Sequence, residues 1–360
     1  MHYGAGKSRK TCSGDWATSW GRDSWKQLAE DWLRRQVTRR PNRDQQVVVL
    51  DNCALNDILV RNPAGHLDDR IRFAVLKRRI AIWTSPSLID ETVAGSGTDS
   101  TSVRKKLAFL QVISAGQMLK RSWDLLQWEG IHGHSPSDAD RFMPRDAEEM
   151  VYRKSLAVCD AGGIVCSPEN GSERLLKQLI YEEKNAGQRA TLEAADSARR
   201  VFSWAFGASG MEIQADSAEI PSPIGSGDGI DAHALGKWMA SMSRNDFVKW
   251  ISFTLESLGY KRTITTDDLP LLPYVTSAAG YMLAKSAGKY VTDQKWQKND
   301  TYDARYCVAA SQADILVTSD EHPRRTCSQM PYRPFRIGGV EELERILILS
   351  SSSRRLKKTL

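Results

Sequence analysis

Long apolar runs and a regular cysteine pattern are both missing from this sequence of 360 residues. No run reaches the roughly 18 apolar residues that a membrane-spanning helix needs, so we expect no transmembrane segment. No apolar stretch follows the basic residues Lys7, Arg9 and Lys10, which argues against a secretory signal. The six cysteines form no CxxC pair, which argues against a zinc site or a disulfide framework and predicts reduced thiols in a cytoplasmic protein.

The positive charge of the chain is concentrated at its two ends. The formal net charge is +6, of which residues 1–45 contribute +5 and the segment 354–358 contributes +4. The rest of the chain is therefore slightly acidic, near −3. Clustered Lys and Arg side chains attract the phosphates of nucleic acids, so the charge pattern favours a nucleic-acid partner.

Short apolar runs predict an α/β fold with a central parallel sheet flanked by helices. The run QVVVL is β-branched and apolar on both faces, as is typical of a strand buried in a parallel sheet. Helical patterns alternate with such runs at both ends of the chain, and an amphipathic helix closes the fold at 338–347. The predicted strands are 46–50, 80–84, 314–318 and 335–337.

A largely helical block separates the two α/β segments. We expect helices in it near 102–127, 145–158, 172–206, 230–258 and 270–288, with polar loops at 130–144 and 214–229. The predicted organisation is a basic extension with an amphipathic helix at 23–37, a sheet domain in two halves, a large all-helical insertion and a disordered basic tail. The boundaries of these five parts are 1–45, 46–100, 101–292, 293–349 and 350–360.

Acidic residues occur at equivalent places in the α/β segments. Asp51 and Asp320 end predicted strands, whereas Glu91 and Asp303 lie in the first turns of helices. Sites in open parallel sheets form at the carboxyl ends of the strands, so we expect these four side chains to converge. Crowded carboxylates repel one another and bind hard divalent cations, which predicts Mg²⁺ or Mn²⁺ as cofactor. Asp300, three residues before Asp303 on the same helical face, is an alternative or additional third acid.

The segments that carry these acids resemble the successive motifs of PIN-domain nucleases. They are VVVLDNCALN, SLIDETV, NDTYDARYCVAASQADILVTSD and FRIGGVEELERIL, within residues 46–95 and 295–348. The resemblance implies a PIN-like central parallel sheet and cleavage of RNA with Mg²⁺ or Mn²⁺. It also implies that Asp51, Glu91, Asp303 and Asp320 are the catalytic and metal-binding residues.

Several neighbours of these acids are predicted to support them. The family often has Asn or Ser two residues after its first Asp, where this chain has Cys53, so either Asn52 supplies that polar contact or the contact is absent. Thr318 and Ser319 are expected to contact a ligand water or to orient Asp320. The basic residues that follow the fourth acid are either phosphate contacts or a solvated turn. They are His322, Arg324 and Arg325.

The resemblance implies metal-assisted hydrolysis of RNA that leaves a 5′-phosphate and a 3′-hydroxyl. Stand-alone PIN nucleases resemble toxins or antiviral defence effectors, which implies an inhibitory or regulatory protein partner or a homo-oligomer. Three alternatives stay open on the residues alone. They are a structure-specific DNA nuclease, a catalytically silent PIN scaffold that binds RNA or protein, and a helical interaction protein with no active site.

Overall fold

A computed structural model describes residues 45–61, 66–94, 100–114, 116–160, 242–257, 259–291 and 298–356 of the chain. All of them belong to one compact unit, Thr38–Leu360. The predicted helices at 23–37 and 172–206 and the predicted loop at 214–229 lie outside the described residues.

In the described part of the chain, four parallel strands form the sheet, which confirms the predicted α/β architecture. The strands are β1 (Gln46–Leu50), β2 (Ile80–Trp83), β3 (Ile315–Val317) and β4 (Arg336–Gly338). Their order is β2-β1-β3-β4, so β1 and β3 are the central strands. Val48 lies opposite both Ile82 and Ile315. Side chains on both faces of β1 are buried, as expected for a sheet covered by helices on two sides.

Twelve α-helices are present in the described ranges. Those of the first part are α1 (Asn52–Asn56), α2 (Leu67–Leu76), α3 (Pro86–Ala94), α4 (Ser100–Ser114), α5 (Ser122–His132), α6 (Asp138–Arg141) and α7 (Arg145–Asp160). Those of the second part are α8 (Arg244–Ser257), α9 (Pro273–Val291), α10 (Lys298–Ala310), α11 (Glu321–Ser328) and α12 (Val340–Leu356). A π-helical turn follows α1 at Asp57–Arg61, and a 3-10 helix precedes α9 at Thr266–Leu271. No helix within the described ranges has both the length and the apolar character to cross a membrane.

Helices from both halves of the sequence pack against the strands. Helices α2 and α4 contact β2, α10 contacts β1 and β3, and α12 contacts β3 and β4. The predicted helical insertion joins this packing, because α9 contacts α5, α8, α10 and α11. The described helices of that block therefore belong to the same compact body as the sheet.

The segment predicted as one helix over 102–127 is two helices, so that prediction was wrong. The chain turns at Gly116, whose φ of 77° lies in the left-handed region that favours glycine. Met118 and Leu119 then form isolated bridges with Thr84 and Phe142, which extend the sheet edge beyond β2. The hydrogen bond from Leu119 N to Thr84 O is 2.8 Å long. Backbone pairing with the sheet therefore interrupts the helical pattern.

Other boundaries differ by smaller amounts. The helix predicted at 145–158 is confirmed as α7, and the described part of the 230–258 prediction is helical in α8. The predicted loop 130–144 contains the short helix α6. The closing helix, predicted to end at 347, continues to Leu356, so the first residues of the predicted disordered tail are helical. Residues 357–360 lie outside the described part of the chain.

Candidate active site

Asp51 directly follows β1 and begins α1. Its backbone N–H donates to Val317 O at 3.1 Å, which extends the β1–β3 pairing by one residue. Its Oδ1 accepts a 2.7 Å hydrogen bond from the N–H of Ala54, so the side chain caps α1. The residue is only 4% exposed. Asp51 is therefore a buried carboxyl group held at the carboxyl end of a central strand.

Asp320 occupies the equivalent place after the other central strand, β3. It caps α11, because its Oδ1 accepts a 2.8 Å hydrogen bond from the N–H of His322. Its own N–H donates to Thr318 Oγ1 at 3.0 Å. The Thr318 side chain also lies beside Asp51 and lowers the pKa of that carboxyl, against the larger effect of burial. Thr318 thus lies next to the acids at the ends of both central strands, and its predicted role of contacting a ligand water or orienting Asp320 stays a prediction.

Glu91 is carried by α3, the helix after β2. Ser85 and Pro86 start that helix: Ser85 Oγ accepts from Leu88 N at 3.3 Å, and Pro86 occupies the first turn, where no N–H is needed. The hydroxyl of Tyr306 donates a short hydrogen bond to Glu91 Oε2. Asn52 Oδ1 accepts from Thr92 Oγ1 at 3.4 Å, which connects α1 to α3 beside Glu91.

Asp303 lies on α10 and faces α9. Its Oδ2 accepts a 3.2 Å hydrogen bond from the hydroxyl of Tyr281, which is fully buried. Asp300, one turn earlier, has a different partner: its Oδ1 lies 2.7 Å from Nζ of Lys285. Both side chains of this ion pair are about one-tenth exposed. The two acids that the sequence left as alternatives therefore have different direct partners.

The four predicted acids lie close enough to act on one another. Cys53, half-buried at the start of α1, shows this most directly, because a single thiol is influenced by all four. Its pKa is raised to about 12, first by burial and then by the negative charges of Asp51, Asp320, Glu91 and Asp303. Asp51, Glu91, Asp303 and Asp320 thus all lie near enough to this thiol for their charges to raise its pKa.

Two of these acids have strongly raised pKa values. Burial is the largest cause at Asp51, where the charges of Glu91 and Asp320 add to it and raise the pKa to about 7. The pKa of Asp303 is also raised to about 7, by burial and by Asp320, Glu91 and Asp300, while the charge of Lys285 opposes the shift. Both groups are thus poised to lose a proton when a cation binds.

The chemistry of the donors fits a hard divalent cation, although the side chains are not arranged around one. Within the described residues, no three His, Cys, Asp or Glu side chains form a group that could hold a metal ion. The reason is visible in the hydrogen bonds, since each acid is turned toward a donor of the protein. Each of those bonds uses one carboxylate oxygen, and a carboxylate offers two for ligation.

The remaining predicted side chains lie around this cluster. Ser319 is half-buried between Thr318 and Asp320. His322 and Arg325 are exposed on α11, the helix that Asp320 begins. Arg324 is turned toward α12, with its Nη1 3.7 Å from Glu341 Oε1. An ion pair therefore engages Arg324, whereas His322 and Arg325 remain exposed to solvent.

Sequence reasoning missed the neutral and basic partners of the acids. These are Tyr281, Lys285 and Tyr306, together with Thr92, which bonds Asn52. The sequence did contain a signal for Tyr306: it follows Asp303 by one helical turn, which places it on the same face of the helix. Tyr281 and Lys285 are four residues apart on α9, and Asp303 and Asp300 are three apart on α10, but nothing in the local sequence shows that these two helices pack together.

Comparisons with known proteins identified no relative of this chain. A scan against models of protein families, a search of curated proteins and a search of solved structures each found no match for this chain. The function is therefore inferred from the residues and their geometry.

Proposed function

We propose that this chain is a Mg²⁺- or Mn²⁺-dependent endoribonuclease with a PIN-like fold. The observation that carries the proposal is that four acids from separate elements lie near enough to Cys53 for each to raise its pKa. A parallel sheet with acids at the carboxyl ends of its central strands is the arrangement that the resemblance implied. Burial and mutual repulsion make such a cluster costly when it is fully ionised, and a divalent cation would offset that cost.

Asp51 and Asp303 are the proposed direct ligands. Both are largely buried, and both have a pKa near neutrality that a bound cation would lower. Asp303 is the third acid, since Asp300 is paired with Lys285. Glu91 and Asp320 complete the site, directly or through a water molecule.

The chain's own residues would position these ligands. A bound Mg²⁺ or Mn²⁺ supplies Lewis-acid chemistry that polarises the scissile phosphate and activates a water. Tyr306 and Tyr281 orient Glu91 and Asp303 by hydrogen bonds that leave the negative charge in place. Thr318 sets the position of Asp51 relative to Asp320.

Basic side chains beside the cluster would bind the substrate backbone. Exposed His322 and Arg325 follow Asp320 on α11. Next to Glu91 in the sequence, Asp90 Oδ2 lies 3.9 Å from Arg121 Nη1, and Arg305 Cζ lies over the ring of Tyr302, 5.6 Å from its centroid. Contacts of this kind hold phosphates without reading sequence. A toxin or defence role, a regulatory protein partner, a homo-oligomer and a cytoplasmic location stay predictions from the resemblance.

The test compares the wild type with Asp51→Asn and Asp303→Asn on labelled single-stranded RNA, single-stranded DNA and branched DNA, in Mn²⁺, Mg²⁺ or EDTA. Asn retains an oxygen that can accept the Ala54 N–H, so Asp51→Asn removes charge while keeping the helix cap. We expect metal-dependent RNA cleavage that each substitution lowers by about 10²-fold or more. Glu321→Gln, which neutralises an exposed acid next to Asp320, is the matched control and should retain activity.

The outcomes separate the alternatives. Cleavage of branched DNA without cleavage of RNA would favour the DNA nuclease. RNA binding without cleavage in either metal would favour a silent scaffold. Equal cleavage by the wild type and Asp51→Asn would contradict the assignment of this site.

A further inference from the structure

Two buried cysteines meet beside the candidate active site. Sγ of Cys307 on α10 lies 3.3 Å from Sγ of Cys327 on α11. Both residues are completely buried, and both carry thiols. The sulfur atoms of a disulfide are about 2.05 Å apart, so a covalent bond would need a closure of only about 1 Å. No other function derived for this protein uses the pair.

The pair joins the two helices that carry the third and fourth acids. Cys307 follows Asp303 by four residues, one turn along α10, and Cys327 lies two turns after Asp320 on α11. Tyr281 adjoins this place as well, since its pKa is raised by burial and then by Asp303, Cys307 and Cys327. A bond between the sulfurs would therefore tie the acid-bearing helices together next to the tyrosine that holds Asp303.

We propose that Cys307 and Cys327 are a redox modification site that forms an intramolecular disulfide. The oxidant is of the peroxide class. One thiol attacks the peroxide, breaks its O–O bond and becomes a sulfenic acid, with release of one water. The other sulfur then displaces the sulfenic hydroxyl as a second water and forms the S–S bond. The two thiols lose two electrons and two protons in total, and the peroxide accepts them.

The surface position of α11 provides the route for the oxidant. This helix has only eight residues, and Glu321, His322, Arg325 and Ser328 are exposed on it. Short surface helices open locally far more often than the whole protein unfolds, and such opening would expose Cys327. Reclosure returns the two sulfurs to contact distance, which favours their bond over pairing with other thiols.

Tryptic mapping of the full chain tests the proposal directly. Cleavage after Arg305, Arg324, Arg325 and Arg336 places Cys307 and Cys327 in separate peptides, 306–324 and 326–336, with one cysteine each. The protein is reduced, desalted, treated with hydrogen peroxide, alkylated and digested without reductant. We expect a species in which the two peptides are joined by a disulfide. Its mass should be the sum of the two peptide masses less two hydrogens, and dithiothreitol should separate the peptides.

Variants and thermal unfolding provide the controls. Cys327→Ser should abolish the linked peptide, whereas Cys159→Ser, which changes a buried cysteine of α7 and leaves the pair in place, should retain it. Oxidation should raise the melting temperature of the wild type by several degrees, because the bond closes a loop of about 20 residues. Peroxide treatment of denatured protein under the same conditions shows that the oxidant can form disulfides. If it does, but Cys307 and Cys327 of the folded protein are both found alkylated in separate peptides, the proposal is overturned. A bond from either thiol to a different cysteine would overturn it too. Neither readout requires nuclease activity.

Discussion

Neutral donors hold the acids of the candidate site. Tyr306 donates to Glu91, Tyr281 to Asp303, and backbone N–H groups donate to Asp51 and Asp320. Such donors orient a carboxylate and leave its negative charge in place. A Lys or Arg partner would instead neutralise that charge. The contrast is Asp300, which is neutralised by Lys285. The hydrogen-bond partners thus distinguish acids that remain available to a cation from the acid that serves an ion pair.

Removal of the Tyr306 hydroxyl should cost both stability and activity. In Tyr306→Phe, Glu91 loses a hydrogen bond to its charged group, an interaction that contributes about 1.5–3 kcal/mol. We expect the free energy of unfolding at pH 8, measured by urea denaturation, to fall by that order. Metal-dependent RNA cleavage should fall as well, because Glu91 is no longer oriented.

Tyr274→Phe is the matched control for this change. Tyr274 is equally buried, but its hydroxyl has no hydrogen-bond partner among the described residues. Loss of an unsatisfied buried hydroxyl should leave stability unchanged or raise it. Equal destabilisation by both substitutions would show that the Tyr306 hydroxyl contributes nothing specific.

At the scale of elements, α9 connects the centre of the molecule to the candidate site. Glu129 of α5 is completely buried and accepts hydrogen bonds from Tyr274 N at 3.1 Å and Val275 N at 2.7 Å. These are two of the N–H groups that the first turn of a helix leaves without an internal partner. Further along, the same helix presents Tyr281 and Lys285 to α10. Glu129 therefore positions the helix that supplies partners to Asp303 and Asp300.

Glu129→Ala should destabilise the protein by about 2 kcal/mol or more, because two buried N–H groups lose their acceptor. Glu129→Gln keeps one carbonyl oxygen that can accept, so its loss should be clearly smaller. The midpoints of urea denaturation of the two variants provide the comparison. A Gln variant as unstable as the Ala variant would contradict the view that an acceptor oxygen at this position stabilises α9.

At the scale of the whole molecule, buried carboxyl groups make stability depend on pH. Burial is the largest cause of the raised pKa of Asp51, Asp303 and Glu148, each about 7, and of Glu129, about 8. In the unfolded chain these groups have a pKa of about 4. Between about pH 4 and pH 8 the folded state therefore binds more protons than the unfolded state, so the free energy of unfolding falls as the pH rises. Asp246 and Asp268, whose pKa values are lowered by hydrogen bonds, act in the opposite direction at more acidic pH.

We therefore expect the metal-free protein to lose at least about 2 kcal/mol of unfolding free energy between pH 5 and pH 8. Urea denaturation in EDTA at several pH values measures this slope. Asp51→Asn should reduce it, since one of the titrating groups is gone. Added Mn²⁺ should stabilise the wild type more at pH 8 than at pH 6, because ligation requires the deprotonated acids. A metal-free protein that becomes more stable toward pH 8 would contradict the burial of these charged groups.

Much of the architecture follows from local pattern. The runs that form β1, β2 and β3 are apolar on both faces, and this is possible only where helices cover a strand on both sides. The acids that follow β1 and β3 are then brought to one edge by the parallel direction of the strands. The prediction of one helix over 102–127 was wrong at Met118 and Leu119. These residues form backbone bridges with Thr84 and Phe142, which helical periodicity does not reveal.

The sequence by itself determined the parallel sheet and the edge at which Asp51 and Asp320 lie. Both follow from the way strand and helix patterns alternate along the chain and from the position of each acid after its strand. Only the tertiary structure decided that Asp303 accepts a hydrogen bond from Tyr281 while Asp300 pairs with Lys285. It also decided that Cys307 meets Cys327. These contacts depend on how α9, α10 and α11 pack, and helix packing is set by side chains far apart in sequence, which periodicity along one helix does not encode.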